Sequence, residues 1–171
     1  QTLETAVLLD WCRRSFVGPV AVAGISMSSF VAQQVAIRCR DWPARLRPDG
    51  LLLVSHSGRI EEVTFAGTLT RALGLTDQLR VAGWSRAALM PWEGLLNPSG
   101  APGLPAGRIV SALGVGDRLL PFETGLEVAR AWSLPADNVF ELKVGHLAMP
   151  LALIRDERPL RRLMTVMRHG A

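Results

Sequence analysis

Short, largely apolar runs alternate along this chain with longer stretches whose apolar residues recur every three or four positions. The runs cover residues 20–23, 51–54, 108–113 and 138–142. A run of that length without polar alternation predicts a strand covered on both faces, as parallel strands are. The periodic stretches predict helices over 2–16, 27–39, 122–132 and 147–167, the last broken near Pro159. In the first of these, Leu3, Ala6, Val7, Leu8, Trp11 and Cys12 share one side, with Asp10, Arg13 and Arg14 on the other. That side is expected to be buried. Val17-Gly18-Pro19 ends the helix. Pro121 and Glu123 mark the start of the helix over 122–132, where a fixed φ and a negative charge both suit the first turn.

Residues 58–107 follow another pattern. They hold helical patches at 60–73 and 76–84, then Asn97-Pro98-Ser99-Gly100-Ala101-Pro102-Gly103. This region reads as an insertion outside the sheet. The expected organisation is therefore 1–57 (first strand, its helix and the next strand), 58–106 (a cap-like insertion) and 107–171 (the C-terminal part of the core). Strands alternating with helices predict an α/β fold, a mostly parallel sheet flanked by helices. Sites in such sheets form beyond the carboxyl ends of the strands.

Composition narrows the classes. The chain has 171 residues, 49% hydrophobic and 20% charged, which fits one globular domain and excludes disorder. The net charge of +4 is carried mostly by arginines scattered over several segments, with no basic run interleaved with aromatics. They read as solvated helix faces, and no nucleic-acid partner is expected. Cys12 and Cys39 lack ligand spacing and are expected to be free buried thiols. His56, His146 and His169 form no metal-type cluster, so no metal is expected. No apolar stretch reaches the roughly 18 residues of a membrane span. No signal peptide is visible, yet the chain opens on Gln1, so the natural N-terminus is expected to lie elsewhere.

The residues after the strands carry the chemistry. Gly24-Ile25-Ser26-Met27-Ser28 follows the first run, Gly114-Val115-Gly116-Asp117 the third, and Gly145-His146 follows the fourth. Ser, Asp and His thus occur in that order, each at a strand's carboxyl end. A serine hydroxyl is a weak nucleophile until a base takes its proton, and histidine can do so near neutral pH. A carboxylate on the other ring nitrogen fixes the tautomer and stabilises the imidazolium. A serine on a sharp strand-to-helix turn needs small neighbours, and the N–H of the next residue, Met27, faces the developing oxyanion.

These three motifs resemble those of the α/β-hydrolase superfamily, over nearly the whole chain. The resemblance implies that Ser26 is the nucleophile of an elbow, Asp117 the acid and His146 the base, with the Met27 N–H as an oxyanion donor. It implies a serine hydrolase acting on an ester or other small-molecule acyl substrate through an acyl-serine intermediate, without organic cofactor. An acyltransferase of the same fold and a non-catalytic binding or scaffold protein are the alternatives. Two features depart from the family pattern. Ser28 stands where glycine is usual, and the strands that normally precede the elbow, with the second oxyanion donor, do not precede it here. The first strand is then expected at a sheet edge, to be completed by a missing N-terminal segment or a partner chain.

Further candidates are weaker. His56, after the second strand, is a candidate for the pocket wall. The insertion is apolar through Phe65, Leu69, Trp84, Leu89, Met90, Trp92, Leu95 and Leu96. Of these, Trp84, Met90 and Trp92 are named with His56 as candidate substrate-pocket residues. His169 is expected to be frayed.

Overall fold

In the computed structural model the described residues are 1–168, with the side chains of Leu95 and Leu96 excepted. His169 and the apolar role expected of Leu95 and Leu96 lie outside what is described. Four strands form one sheet in the order β1 (Ala21–Ile25), β2 (Gly50–Val54), β3 (Ile109–Gly114), β4 (Val139–Leu142), with every neighbour parallel. Each connection moves one strand over in the same direction. Right-handed crossovers then put the intervening helices on one face. That face carries α1 (Thr2–Ser15), α2 (Met27–Arg38) and α8 (Phe122–Ala131). Helices α9 (Met149–Arg155) and α10 (Arg158–Arg168) cover the other.

Alternation along the buried strands builds two cores. Leu51, Leu53 and Ile109 face Ala32, Ala36 and Cys39 of the α2 segment and Val128 and Trp132 of the α8 segment. Leu52, Val54, Val110 and Ala112 face Met149 and Leu163. Every residue of β2 and β3 is buried, which explains why their sequences show no polar alternation. Cys39 is buried and Cys12 half-buried, and both are free. Burial pushes the Cys39 thiol up from its ordinary range.

Between β2 and β3 lie five short helices: α3 (Ile60–Ala66), α4 (Thr68–Ala72), α5 (Leu75–Val81), α6 (Arg86–Leu89) and α7 (Glu93–Leu96). The expected helix over 60–73 is two helices, because Gly67 takes an extended ψ of 137° between them. The Pro/Gly-rich stretch after α7 returns to the core: Trp132 Nε1 donates to Gly100 C=O at 3.0 Å, and Gly103 N–H to Ala36 C=O at 2.6 Å.

The expected break near Pro159 is present: it falls at Asp156-Glu157, and Pro159 itself sits in the first turn of α10, where its missing N–H costs nothing. One expectation needs correction. Helix α1 forms, but it buries only Ala6 and Leu9, while Leu3, Val7, Leu8 and Trp11 are exposed. It packs on α2 and the turn over 44–46, and that contact is too narrow to cover a full apolar stripe. No helix among the described residues is long and apolar enough to cross a membrane.

Candidate active site

Strand β1 runs two residues beyond the expected 20–23 and delivers Ser26 at its carboxyl end, directly before α2. Ser26 has φ 56° and ψ −121°, a conformation non-glycine residues avoid. Its N–H is anchored to Val54 C=O at 3.0 Å. The turn is tight enough that a Cβ on Gly24 would come within 2.6 Å of Ser29 Cα. Ser28 fits where glycine was the expected residue because its hydroxyl is used: it accepts from Ile25 N–H and donates to Ile25 C=O, both at 2.8 Å.

His146 opens a single 3-10 turn after β4, and Asp117 follows β3. The loops that carry them pack backbone against backbone. Gly116 N–H donates to Val144 C=O at 3.1 Å, and a Cβ on Gly114 would lie 2.7 Å from the same oxygen. The flanking glycines thus allow the acid and histidine loops to meet. Asp117 Oδ1 accepts from the Leu119 and Leu120 N–H groups, each at 2.9 Å. Its Oδ2 lies 2.7 Å from His146 Nδ1, and His146 Nε2 lies 2.9 Å from Ser26 Oγ. The Asp117 side chain is only 2% exposed and that of His146 11%. A carboxylate beside Nδ1 requires the proton there, so Nε2 carries the lone pair that can accept from the Ser26 hydroxyl. Met27 begins α2, so its amide has no residue one helical turn back within the helix to donate to and lies at the positive end of the helix dipole.

A cavity of about 490 Å³ opens beside Ser26 and His146. Its walls are Phe30 and Val31 from α2, Ile60 and Val63 from α3, Gly67, Leu69 and Thr70 around α4, and Leu119 and Leu120 from the acid loop, with Gln1, Met27, Ser29 and Ser57. No Asp, Glu, Lys or Arg contributes, so His146 is the one titratable side chain in the lining.

Of the candidate pocket residues, none is in that lining. His56 is buried at 1% exposure and turned inward, its Nε2 2.8 Å from Ser111 Oγ, because it follows β2 directly and is roofed by α8. Burial lowers its pKa to about 3. Trp84, Met90 and Trp92 are exposed, and Met90 lines only a small crevice with Leu89 and Glu93. The helices nearest the sheet end, α3 and α4, take the place beside Ser26, and among the described members of the apolar set named for the insertion only Leu69 lines the cavity. Sequence reasoning missed Ile60 and Val63, although they are one helical turn apart, and Phe30, one turn after Ser26. Leu119 and Leu120 stand two and three residues after the acid and had the same kind of signal.

Among the described residues no group of three or more His, Cys, Asp or Glu side chains could hold a metal ion. No protein-family model matches the sequence, and no curated protein matches it significantly. Solved structures do. The Mycobacterium tuberculosis H37Rv protein BpoC, named as a non-heme bromoperoxidase, superposes with a TM-score of 0.54 at 19% identity, over 96% of this chain and 73% of its own. TT1662 from Thermus thermophilus gives 0.54 at 20% identity, over 97% of this chain and 62% of its own. An acylaminoacyl peptidase of Pyrococcus horikoshii gives 0.54 at 11% identity, over 94% of this chain and 25% of its own. The chain thus spans about three fifths of the second and a quarter of the third. Strand order, elbow and likeness agree on one architecture: the chain is built on the α/β-hydrolase fold.

Proposed function

We propose that this chain carries the active site of a serine hydrolase that cleaves esters of apolar acyl groups. The observation that carries the reading is the hydrogen-bonded series Ser26–His146–Asp117 on a strained turn facing a largely apolar cavity lined by no Asp, Glu, Lys or Arg side chain. In this reading Ser26 Oγ attacks the acyl carbon as His146 Nε2 takes its proton. The Asp117 carboxylate stabilises the imidazolium without accepting the proton itself. The Met27 N–H donates to the oxyanion that forms on the carbonyl oxygen as the acyl carbon becomes tetrahedral. His146 then protonates the leaving alkoxide. Water, deprotonated by His146, attacks the acyl-serine and releases the acid. Desolvating a carboxylate or phosphate against such walls is unfavourable, which argues for a neutral acyl chain. Residues 58–106 act as the cap that supplies the α3–α4 wall.

We also propose that the free edge of β1 is covered in the working protein by a further extended segment, from a longer chain or from a partner. The N–H and C=O of one strand residue share a side, and sides alternate between neighbours. Val20 and Ser26 address the β2 side, so Ala21, Ala23 and Ile25 address the free side. Ser28 already occupies Ile25, which leaves Ala21 and Ala23 to pair.

The test is labelling of the intact protein with a fluorophosphonate, followed by mass spectrometry. The expected adduct is on Ser26, and His146→Ala should slow its formation by at least about 10³-fold, as loss of the base does in such triads. A folded protein that takes no adduct, or takes it elsewhere, would overturn the reading in favour of a non-catalytic binding protein.

A further inference from the structure

One contact joins the insertion to the acid loop. Arg118 lies between the acid and the two residues whose amides hold it, and its carbonyl accepts twice from Thr68: from the N–H at 3.2 Å and from Oγ1 at 2.8 Å. Thr68 begins α4, and its neighbours Gly67 and Leu69 line the cavity, as do Leu119 and Leu120 across the contact. The α3–α4 junction is itself tied down. Thr70 Oγ1 is 2.9 Å from Gly67 C=O and 3.2 Å from Val63 C=O. A Cβ on Gly67 would run into Val63 C=O and come within 3.1 Å of Leu119 C=O, so the two segments meet at glycine distance.

The same two acid-loop residues, Leu119 and Leu120, therefore do two things. Their side chains form cavity wall, and their backbone amides hold the Asp117 carboxylate. We propose that Thr68 is a positioning residue that couples the two. By clamping Arg118 C=O it makes the wall and the acid loop one body, so that an acyl chain seated against Leu119 and Leu120 steadies the Asp117–His146 hydrogen bond. The inference rests on the proposed hydrolase reading and adds a residue, a route and a dependence on chain length. A short acyl group that does not reach the wall gains nothing from the clamp. A longer one does.

The experiment compares wild type, Thr68→Val and Thr68→Ser in the intact protein, using p-nitrophenyl acetate and p-nitrophenyl octanoate. Losing one neutral hydrogen bond is worth about a 5-fold change. Thr68→Val is expected to lower kcat on octanoate by about 5-fold with KM little changed, and to leave kcat on acetate within about 2-fold. Thr68→Ser, which keeps the hydroxyl, is expected to restore the octanoate rate. Equal losses on both esters would make Thr68 a general structural residue and overturn the coupling. So would unchanged octanoate turnover, or a Ser variant no better than Val. Failure of the underlying reading looks different: wild type itself would then show no Ser26-dependent turnover of either ester.

Discussion

Ser26 is held at a φ of 56°, and such conformations cost of order 1–3 kcal/mol unless the surroundings over-determine them. Here they do. The Val54 carbonyl fixes its N–H, Gly24 removes the side chain that would clash with Ser29, and Ser28 uses its hydroxyl to close the turn on Ile25. His56 shows a different kind of constraint. It is fully enclosed, one ring nitrogen faces Ser111 and the other, Nδ1, has no partner, so the neutral form is strongly preferred. Its folded pKa of about 3 lies below the ordinary 6.5, so the unfolded chain binds the proton first. The stabilisation is complete above about pH 6.5 and drains away as pH falls toward 3. Between pH 7 and pH 5 this one group should cost about 2 kcal/mol of folding stability. Urea unfolding at the two pH values should show that loss in wild type and not in His56→Gln, since the remaining titrating groups are common to both. Identical pH dependence in the two proteins would mean that His56 is solvated.

At the scale of elements, the site is a meeting of strand ends. The β3 and β4 loops reach hydrogen-bonding distance because Gly114 and Gly116 leave the Val144 carbonyl uncovered, and Gly145 does the same for the Gly116 carbonyl. Gly114→Ala should therefore push the two loops apart and misplace Asp117 and His146 together. The expected result is fluorophosphonate labelling slowed by at least about 10-fold, with a destabilisation of about 1–3 kcal/mol, as for overpacking in a tight core. Normal labelling in Gly114→Ala would show that the loops can separate without loss. This dependence also explains what the sequence disclosed. Largely apolar runs mark β2 and β3 because both faces are buried, and the residues just after the strands mark the site because backbone geometry puts them there. The wall was harder to read. Trp84, Met90 and Trp92 are bulky apolar residues of the insertion, but bulk carries no direction, and the short helices α5–α7 leave them exposed. Ile60, Val63 and Leu69 line the cavity because Gly67 bends α3 into α4, an angle no periodicity encodes.

The whole molecule divides into a well-covered half and an open one. Strands β2 and β3 are buried throughout, whereas in β1 only Gly24 is buried. On the same flank a groove between α1 and β1 is lined by the exposed Leu8, by Leu9 and by residues 20–23. An open parallel edge beside uncovered apolar side chains is a template for strand addition. The alternation of β1 makes that proposal specific, because the pairing groups facing outward belong to Ala21 and Ala23, not to Val22 or Gly24. Proline lacks the N–H and is tolerated on an edge strand when its N–H side faces away from the sheet. Ala23→Pro should therefore leave the 171-residue chain folded, with a loss below about 1 kcal/mol. It should nevertheless remove the outward donor that an added strand requires. Val22→Pro, one residue away, removes a ladder donor to β2 and should cost clearly more than Ala23→Pro. Hydrogen exchange on the intact protein supplies the complementary reading. If a further segment pairs with β1, the Ala23 amide should be protected there and exchange freely in the isolated chain. Free exchange of that amide in both would leave β1 a true edge and overturn the proposal.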